Sequence, residues 1–458
     1  MMRALAMAVL GLIAGPAIAQ TDPGIDQIPG PAPAPPSPSA LVTSHIYAQG
    51  DLTLDASRDD LIVRLAPPAA SSAVARVFLD TLVTGAISND VSFTYSGRLN
   101  LQAQNGPDIP AREIFRNDLR EAYLAWQGAP NLFVQLGRIN LKSGVAEGFN
   151  PTDYFKTRAV VEAVSADPTV LREDRLGTVM AMGQMIWPRG SLTLALAPKI
   201  TSDSPPYLAA NLPQLDPMFD RTNAHDRALV KVSFQLFDDV SPEVLAYSEA
   251  GRAKLGVNLT KGFGRATIAY LEWSGGRRAS LAYDAYRDGV DNHVLAPMPP
   301  IPVSDAQGFA NDLSAGVGYT TKIGVHLNLE YEYHQAGFSA ADWRQWFGGG
   351  KGANAPELGA LWFIRGYASD QQEPMARNSL FMSADWRNAF VRDLSITTFV
   401  DADLRDGSST GQVAADYFLS PVWTIGGLVD FDVGRARSNF GSLPQDVSLL
   451  MKLTRYFQ

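Results

Sequence analysis

Cysteine is absent from all 458 residues, which excludes a disulfide framework, a thiolate metal site and a cysteine nucleophile together. Histidine is scarce, with five in the chain: His45, His225, His293, His326 and His334. No GxSxG, HExxH or Walker-type loop occurs, so no motif supports a hydrolase or a nucleotide-binding protein. Bases are the minority charge, 38 against 47 acids with a pI near 5.1, and this balance argues against nucleic acid as a partner. Beyond the first twenty residues, no uninterrupted apolar run approaches the ~18 residues that a transmembrane helix requires.

What the chain has instead is apolar content without apolar runs. Hydrophobic residues make up 46% and aromatics 10%, yet mean hydropathy is only -0.05. Alternating apolar and polar residues reconcile those values, because a strand sends successive side chains to opposite faces. A chain that crosses a bilayer without helices must close its strands into a barrel, since an open edge in lipid leaves backbone groups unpaired. The expected fold class is therefore all-β, a transmembrane antiparallel up-and-down barrel of about 16–18 strands with long extracellular loops.

The N-terminus fits export. Arg3 precedes an apolar stretch from Ala4 to about Gly15, and Ala17-Ile18-Ala19 supplies a small-x-small cleavage site, so residues 1–19 read as a signal peptide. No cysteine follows to carry an acyl group, which leaves the mature chain unanchored at this end. Residues 20–40 contain PGPAPAPPSPSA from Pro29 to Ala40, a proline density that favours polyproline II and reads as a semi-rigid periplasmic tether. Residues 41–458 are then the barrel.

Hairpin signals run through that region. Leu192, Leu194 and Leu196 alternate after a Trp187-Pro188-Arg189-Gly190 turn; Val230, Val232, Phe234 and Leu236 alternate with Lys231, Ser233 and Gln235. Further turns fall at Gly128–Asn131, Lys261–Gly264, Lys322–Gly324, Trp386–Asp393 and Ser420-Pro421. Opposite them in strand order lie longer segments: Asn140–Arg175, Thr201–His225, Gly275–Asn311 and Gly337–Met375. Trp126, Trp187, Trp273, Trp386 and Trp423 each fall near a strand end, where an amphipathic ring suits a headgroup-level girdle. Aromatics clustering near the turns of a soluble β-protein are the other reading.

One strand marks an inner face. In Val325–Gln335 the residues His326, Asn328, Glu330, Glu332 and His334 alternate with Val325, Leu327, Leu329, Tyr331 and Tyr333. A water-facing barrel wall accounts for this all-polar face, and a metal shared by side chains about 7 Å apart is the alternative. Asp401 and Asp403 alternate with Val400 and Ala402, and Asp430 and Asp432 with Val429, Phe431 and Val433. If these acids line the interior, its field favours cations or neutral solutes; a solvated rim is the other reading.

Two segments carry a family resemblance. The closing strand Asp446–Gln458 (DVSLLMKLTRYFQ) places Val447, Leu449, Met451, Leu453 and Phe457 on one face, interrupted by Arg455 and followed by Gln458. It resembles the C-terminal signature of Gram-negative outer-membrane β-barrels, and by that resemblance Phe457 is the assembly signal read by the barrel assembly machinery. Leu136–Phe155 (LGRINLKSGVAEGFNPTDYF) runs from a strand ending in Gly137-Arg138 through a glycine-punctuated stretch to Asn150-Pro151-Thr152-Asp153. This block resembles porin-like outer-membrane proteins, whose better-understood members include solute-uptake and polymer-export barrels. The resemblance implies a location in the outer membrane of a Gram-negative bacterium, in contact with its lipid and lipopolysaccharide. It also implies an inward-folding constriction loop, with Arg138, Glu147, Asp153, Lys156 and Arg158 as candidates to line it. A loop packed on the outer surface is the competing arrangement.

The expected function is a channel for passive passage of small solutes or for export of a polymer such as a polysaccharide. No enzyme activity, cofactor or metal is called for, and monomer and trimer are both compatible with the sequence. One alternative is a structural or secretion component whose partner docks on the tether or the long loops. Another is an outer-membrane hydrolase, for which His326 has Asn328 on its face but no serine two residues away.

Overall fold

The computed structural model describes residues 42–457 except 60, 64–71, 106–113, 162–169, 203–215, 238–239 and 352. The signal and tether readings therefore lie outside the described residues. Eighteen strands alternate in direction. β1 (Val42–Ser57), β2 (Ala73–Ala86), β3 (Val91–Gln104), β4 (Phe115–Ala129), β5 (Leu132–Ile139) and β6 (Thr178–Trp187) begin the wall. It continues through β7 (Gly190–Ala197), β8 (Arg227–Phe234), β9 (Glu243–Glu249), β10 (Arg252–Phe263), β11 (Thr267–Arg278) and β12 (Gly308–Thr320). β13 (Val325–His334), β14 (Asn378–Arg387), β15 (Leu394–Asp403), β16 (Ser409–Ser420), β17 (Trp423–Val433) and β18 (Gln445–Phe457) complete it. Each strand pairs antiparallel with its sequence neighbours, and β1 pairs with β18 from Ile46↔Phe457 to Ala56↔Val447. The sheet is thus a closed meander with no free edge.

Side-chain alternation follows the expected pattern. Along β13, Leu327, Leu329 and Tyr331 are exposed on the outside, while Asn328, Glu330, Glu332 and His334 are buried on the inside. Val447, Leu449 and Met451 of β18 are likewise exposed, as are Leu194, Leu196 and Val230. The outer surface is an apolar belt. Arg455, the interruption in the last strand, lies 5.4 Å from the Trp423 ring and 5.2 Å from the Phe457 ring, so its charge sits over two aromatic faces. Trp126, Trp187, Trp386 and Trp423 fall toward the strand ends that carry the short turns. Trp273 lies toward the other end, stacked 6.4 Å from Phe309.

Short turns gather at one end of the barrel, such as 130–131, 188–189 and 421–422; the long connections 140–177, 198–226, 279–307 and 335–377 gather at the other. Two of the long connections are more ordered than the sequence reading of them as loops. They fold into helices α1 (Leu281–Asp291), α2 (Ala340–Gly349) and α3 (Ala355–Gln371). Ser339 and Asp342 form a capping box at the start of α2, and Asn354 and Glu357 form another at α3. Trp343, Trp346, Phe347, Leu361 and Ile364 bury themselves between these helices with Val63 of the β1–β2 connection. Arg365 lies beneath this cluster, within 5.7 Å of the rings of Trp343, Trp346 and Trp362, and donates to Ser442 and Asn439 between β17 and β18. The result is a small helical cap at the loop end. No helix among the described residues is long and apolar enough to cross a membrane.

Replacing outward-facing Leu329 by Arg should destabilise the barrel in lipid vesicles by about 2–4 kcal/mol. The same replacement at inward-facing Gln102, opposite Arg76 on the polar side of the wall, should cost less. Urea unfolding of the two variants checks this, and equal losses would mean that the belt faces no lipid.

Candidate functional site

The interior is shaped by the connection between β5 and β6. Residues 140–161 and 170–177 of it turn into the barrel, where one side is apolar and the other polar. Tyr154 stacks on Tyr247 of β9 at 4.5 Å, and Phe155 meets the same ring edge-on at 5.8 Å. Around them pack Met180, Ala195, Ala197, Leu229 and Leu245, all inward-facing residues of β6 to β9. This wall breaks the polar-inside rule because the loop covers it. Burying a large apolar side chain in this way contributes about 1.5–3 kcal/mol.

The loop's polar edge crosses to the wall formed by β11 to β14. There Glu272 accepts the backbone N–H groups of Val145 and, at 2.8 Å, Ala146, together with the Thr152 hydroxyl at 3.2 Å. Glu330 accepts the N–H groups of Glu147 at 2.6 Å and Gly148 at 3.2 Å, with Tyr270 and Asn328 as further donors. Ser314 donates to the Phe149 carbonyl, and Ser383 donates to the Glu147 carboxylate at 2.5 Å. Glycine is required at two of these approaches: a Cβ on Gly144, whose φ is +71°, would collide with the Glu272 carboxylate, and one on Gly148 with Glu332 and Phe381. Since β14 lies across the barrel from β5 and β6 in the strand order, the loop spans the bore.

The Asn-Pro-Thr-Asp turn holds its own shape. The Asn150 side-chain oxygen accepts from the N–H groups of Thr152 and Asp153, and its amide donates to the Ser143 carbonyl at 2.8 Å. Asp153 makes a bidentate pair with Arg175 at 2.8 and 3.0 Å. Burial raises the Asp153 carboxyl, but Arg175 and Arg172 outweigh it and hold the group below its ordinary range. Burial lowers the Lys156 ammonium to about 8 against the opposing pull of Asp153. Its Nζ donates to the Asn150 carbonyl at 2.6 Å and lies 4.5 Å from the Phe149 ring. The Glu147 carboxyl is raised by burial, partly offset by Ser383 and His326.

The five loop candidates divide accordingly. Arg138 is buried and donates to the carbonyls of Gly177 and Pro217, joining two loops. Asp153 is closed off by Arg175, and Arg158, at φ 57°, donates its N–H to the Asp370 carbonyl of α3 at 2.6 Å. Those three are buried among contacts within the loop and with its neighbours. Glu147 and Lys156 alone of the five stay partly exposed.

On the strands, Asn328, Glu330, Glu332 and His334 pack inward beneath the loop and cap, while His326, near the turn end, bonds Thr320 at 3.1 Å. His334 bonds Asp312 at 2.8 Å, with the Phe149 ring 5.7 Å away. Glu332 accepts from Ser379 at 2.6 Å, yet its second oxygen has no partner among the described residues, and neither has one oxygen of Asp401. Asp403, Asp430 and Asp432 also face inward, between exposed Leu404, Val429 and Val433. Among the described residues, no group of three or more His, Asp and Glu is placed to hold a metal ion.

Sequence reading missed the basic wall on β2 to β4. Arg98 and Arg120 both pair with Asp80 (2.8 and 2.6 Å) and Asp174 (2.7 and 2.6 Å), and Arg76 pairs with Asp51 at 3.0 Å. Alternation of Arg98 and Asn100 with exposed Leu99 and Leu101 carries the signal for Arg98. A bulge hides the rest: the register with β3 skips Arg120, so Arg120 and Glu121 both turn inward and break the period.

No family model matches the chain, and no curated protein matches its sequence. Solved structures do match its fold. Pseudomonas aeruginosa OccK11 (OpdR) aligns with a TM-score of 0.51 at 10% identity, over 91% of this chain and 96% of that one. OccK5 (OpdH) of the same organism gives 0.51 at 8%, over 91% and 98%. A triple mutant of the Rhodopseudomonas blastica porin aligns at 0.41 and 10% over 91% of this chain and all of that one. At these identities the likeness is one of fold.

Replacing Glu272 by Ala should speed amide exchange at Val145 and Ala146 about tenfold or more, since each loses a buried acceptor worth about 1–3 kcal/mol. Glu330→Ala should do the same at Glu147 and Gly148. Unchanged protection at these amides would mean that Tyr154 and Phe155 hold the loop without the carboxylates.

Proposed function

We propose that this chain is an outer-membrane channel for passive passage of small solutes, with polymer export as the other cargo class the sequence resemblance allows. The observation that carries the reading is the loop clamped across the bore by Glu272 and Glu330, inside a closed barrel with an apolar outer belt. A wall whose outer residues are apolar suits lipid, and a polar interior narrowed by a fixed loop suits selective passage of water-soluble molecules. The helical cap favours a second reading, a component whose loop end docks a partner, because a cap over the mouth offers ordered surface where a simple pore needs none. No observation of the site favours catalysis: the His326 imidazole bonds a threonine hydroxyl, not a serine nucleophile.

The fold, the loop and the inner acids together set two expectations. In a planar bilayer the purified protein should conduct in discrete steps, and removal of residues 143–149 should raise the step size. An inert bilayer and liposomes that stay impermeable to small sugars would move the docking reading ahead.

Lys156 should make selectivity depend on pH. Burial lowers its ammonium to about 8, so the group is charged below that value and loses its proton as pH rises through it. The interior then becomes more negative, and cation preference should increase between pH 7 and pH 9. Reversal potentials in a salt gradient measure it. Lys156→Arg keeps the charge throughout and should flatten this step; a step of the same size in both proteins would remove Lys156 from the conduction path.

A further inference from the structure

At the loop end, the connections 404–408 and 434–444 line an open pocket of about 690 Å³ beside the β1–β2 connection. Three arginines line it: Arg405, Arg435 and Arg437. Asp406 is the one acid among the lining residues, and both its oxygens are already engaged. One accepts the Ser408 N–H at 2.9 Å and the Ser408 hydroxyl at 2.6 Å; the other accepts the Asn439 N–H at 2.8 Å and the Arg405 guanidinium. Arg405 is further placed 5.0 Å over the Trp343 ring of the cap and 3.5 Å from Asp403. Arg435 and Arg437, by contrast, are exposed and have no ion-pair partner among the described residues.

Their backbone is nevertheless fixed. Buried Ser438 donates its hydroxyl to the Arg435 carbonyl at 2.7 Å and accepts the Gly441 N–H at 3.2 Å, so the Arg435–Ser438 turn closes on itself. Asp406 ties the next residue, Asn439, to the neighbouring loop. In a chain of net charge -9, two guanidinium groups that have no ion-pair partner among the described residues and line this pocket from a braced turn form a positive site. Guanidinium forks match the geometry of tetrahedral and planar oxyanions, which accept two parallel N–H donors.

We propose that Arg435 and Arg437, backed by Arg405, bind an oxyanion group, phosphate foremost, presented at the loop end of the barrel. The phosphate belongs either to a phosphorylated lipid of the surrounding leaflet or to a soluble phosphorylated molecule approaching the mouth; the site chemistry is the same in both cases.

Calorimetric titration of the full-length protein in neutral detergent with inorganic pyrophosphate, at about 0.1 M salt so that exposed charges are only partly screened, reads the site directly. Arg435→Ala/Arg437→Ala should weaken binding about tenfold or more, the loss of charged hydrogen bonds worth about 1.5–3 kcal/mol each. Arg189→Ala, a change at an exposed base of the opposite, short-turn end, should bind as tightly as the parent. Retained binding in the double variant, an equal loss in the Arg189 variant, or no binding by the parent overturns the proposal. The source of the phosphate is read separately by native mass spectrometry from nanodiscs containing phosphorylated or dephosphorylated lipid A. Retention of the phosphorylated form alone, lost in the double variant, assigns the lipid, and equal retention of both forms assigns the soluble molecule. Unchanged heat-shifted gel mobility of the double variant confirms that it still folds.

Discussion

Pairing of β1 with β18 is the constraint from which the other features follow. A strand that faces lipid has no water to satisfy its backbone, so every strand needs two neighbours, and only closure gives the first and last strands theirs. Closure creates an inside, and the two-residue period of the strand then sorts the sequence into an apolar exterior and a polar interior. Eighteen strands make that interior wide enough that side chains alone do not fill it. A loop can then enter, and the loop decides what the bore can do.

The loop is held by opposite means on its two sides. Toward β6 to β9 it offers Tyr154 and Phe155 to a wall of Met, Leu and Ala, and the hydrophobic effect holds it there. Toward β11 to β14 it offers bare N–H groups to carboxylates. Burying a carboxylate without partners costs several kcal/mol, and the donors around Glu330 offset that cost. The same donors in turn would be orphaned without the acid, so loop and wall each complete the other. Glu332 is different: one of its oxygens, beside Gly148, has no partner among the described residues, so its burial is less well compensated than that of Glu330.

Much of this was legible in the sequence, and the failures have physical causes. The barrel and the inward face of β13 follow from alternation, because successive strand residues face opposite sides of the wall. Alternation says nothing about what lies against the inner face, so the inward-folding loop and its five candidate residues came from resemblance. A charged residue in such a loop reads the same in sequence whether it faces water or closes an ion pair. The apolar inner residues Met180, Leu229 and Leu245 contradict a polar lumen until the loop is laid over them. The cap had a readable signal in Ser339-x-x-Asp342 and Asn354-x-x-Glu357, which the length of the segment obscured.

Charge balance along the circumference gives the interior its character. The bases of β2 to β4 meet acids at every turn, Arg98 and Arg120 sharing Asp80 and Asp174, so that side is close to neutral despite its arginines. Glu332, Asp401, Asp403, Asp430 and Asp432, on β13, β15 and β17, have few bases beside them; among the described residues Arg405 lies near Asp403 and Arg58 donates to the Asp432 carbonyl. An imbalance of that kind cannot come from net charge, which is a property of the whole chain; it comes from which strands the acids occupy. Lys156, carried by the loop and donating to the Asn150 carbonyl, is a partly exposed base whose charge acts on Glu332.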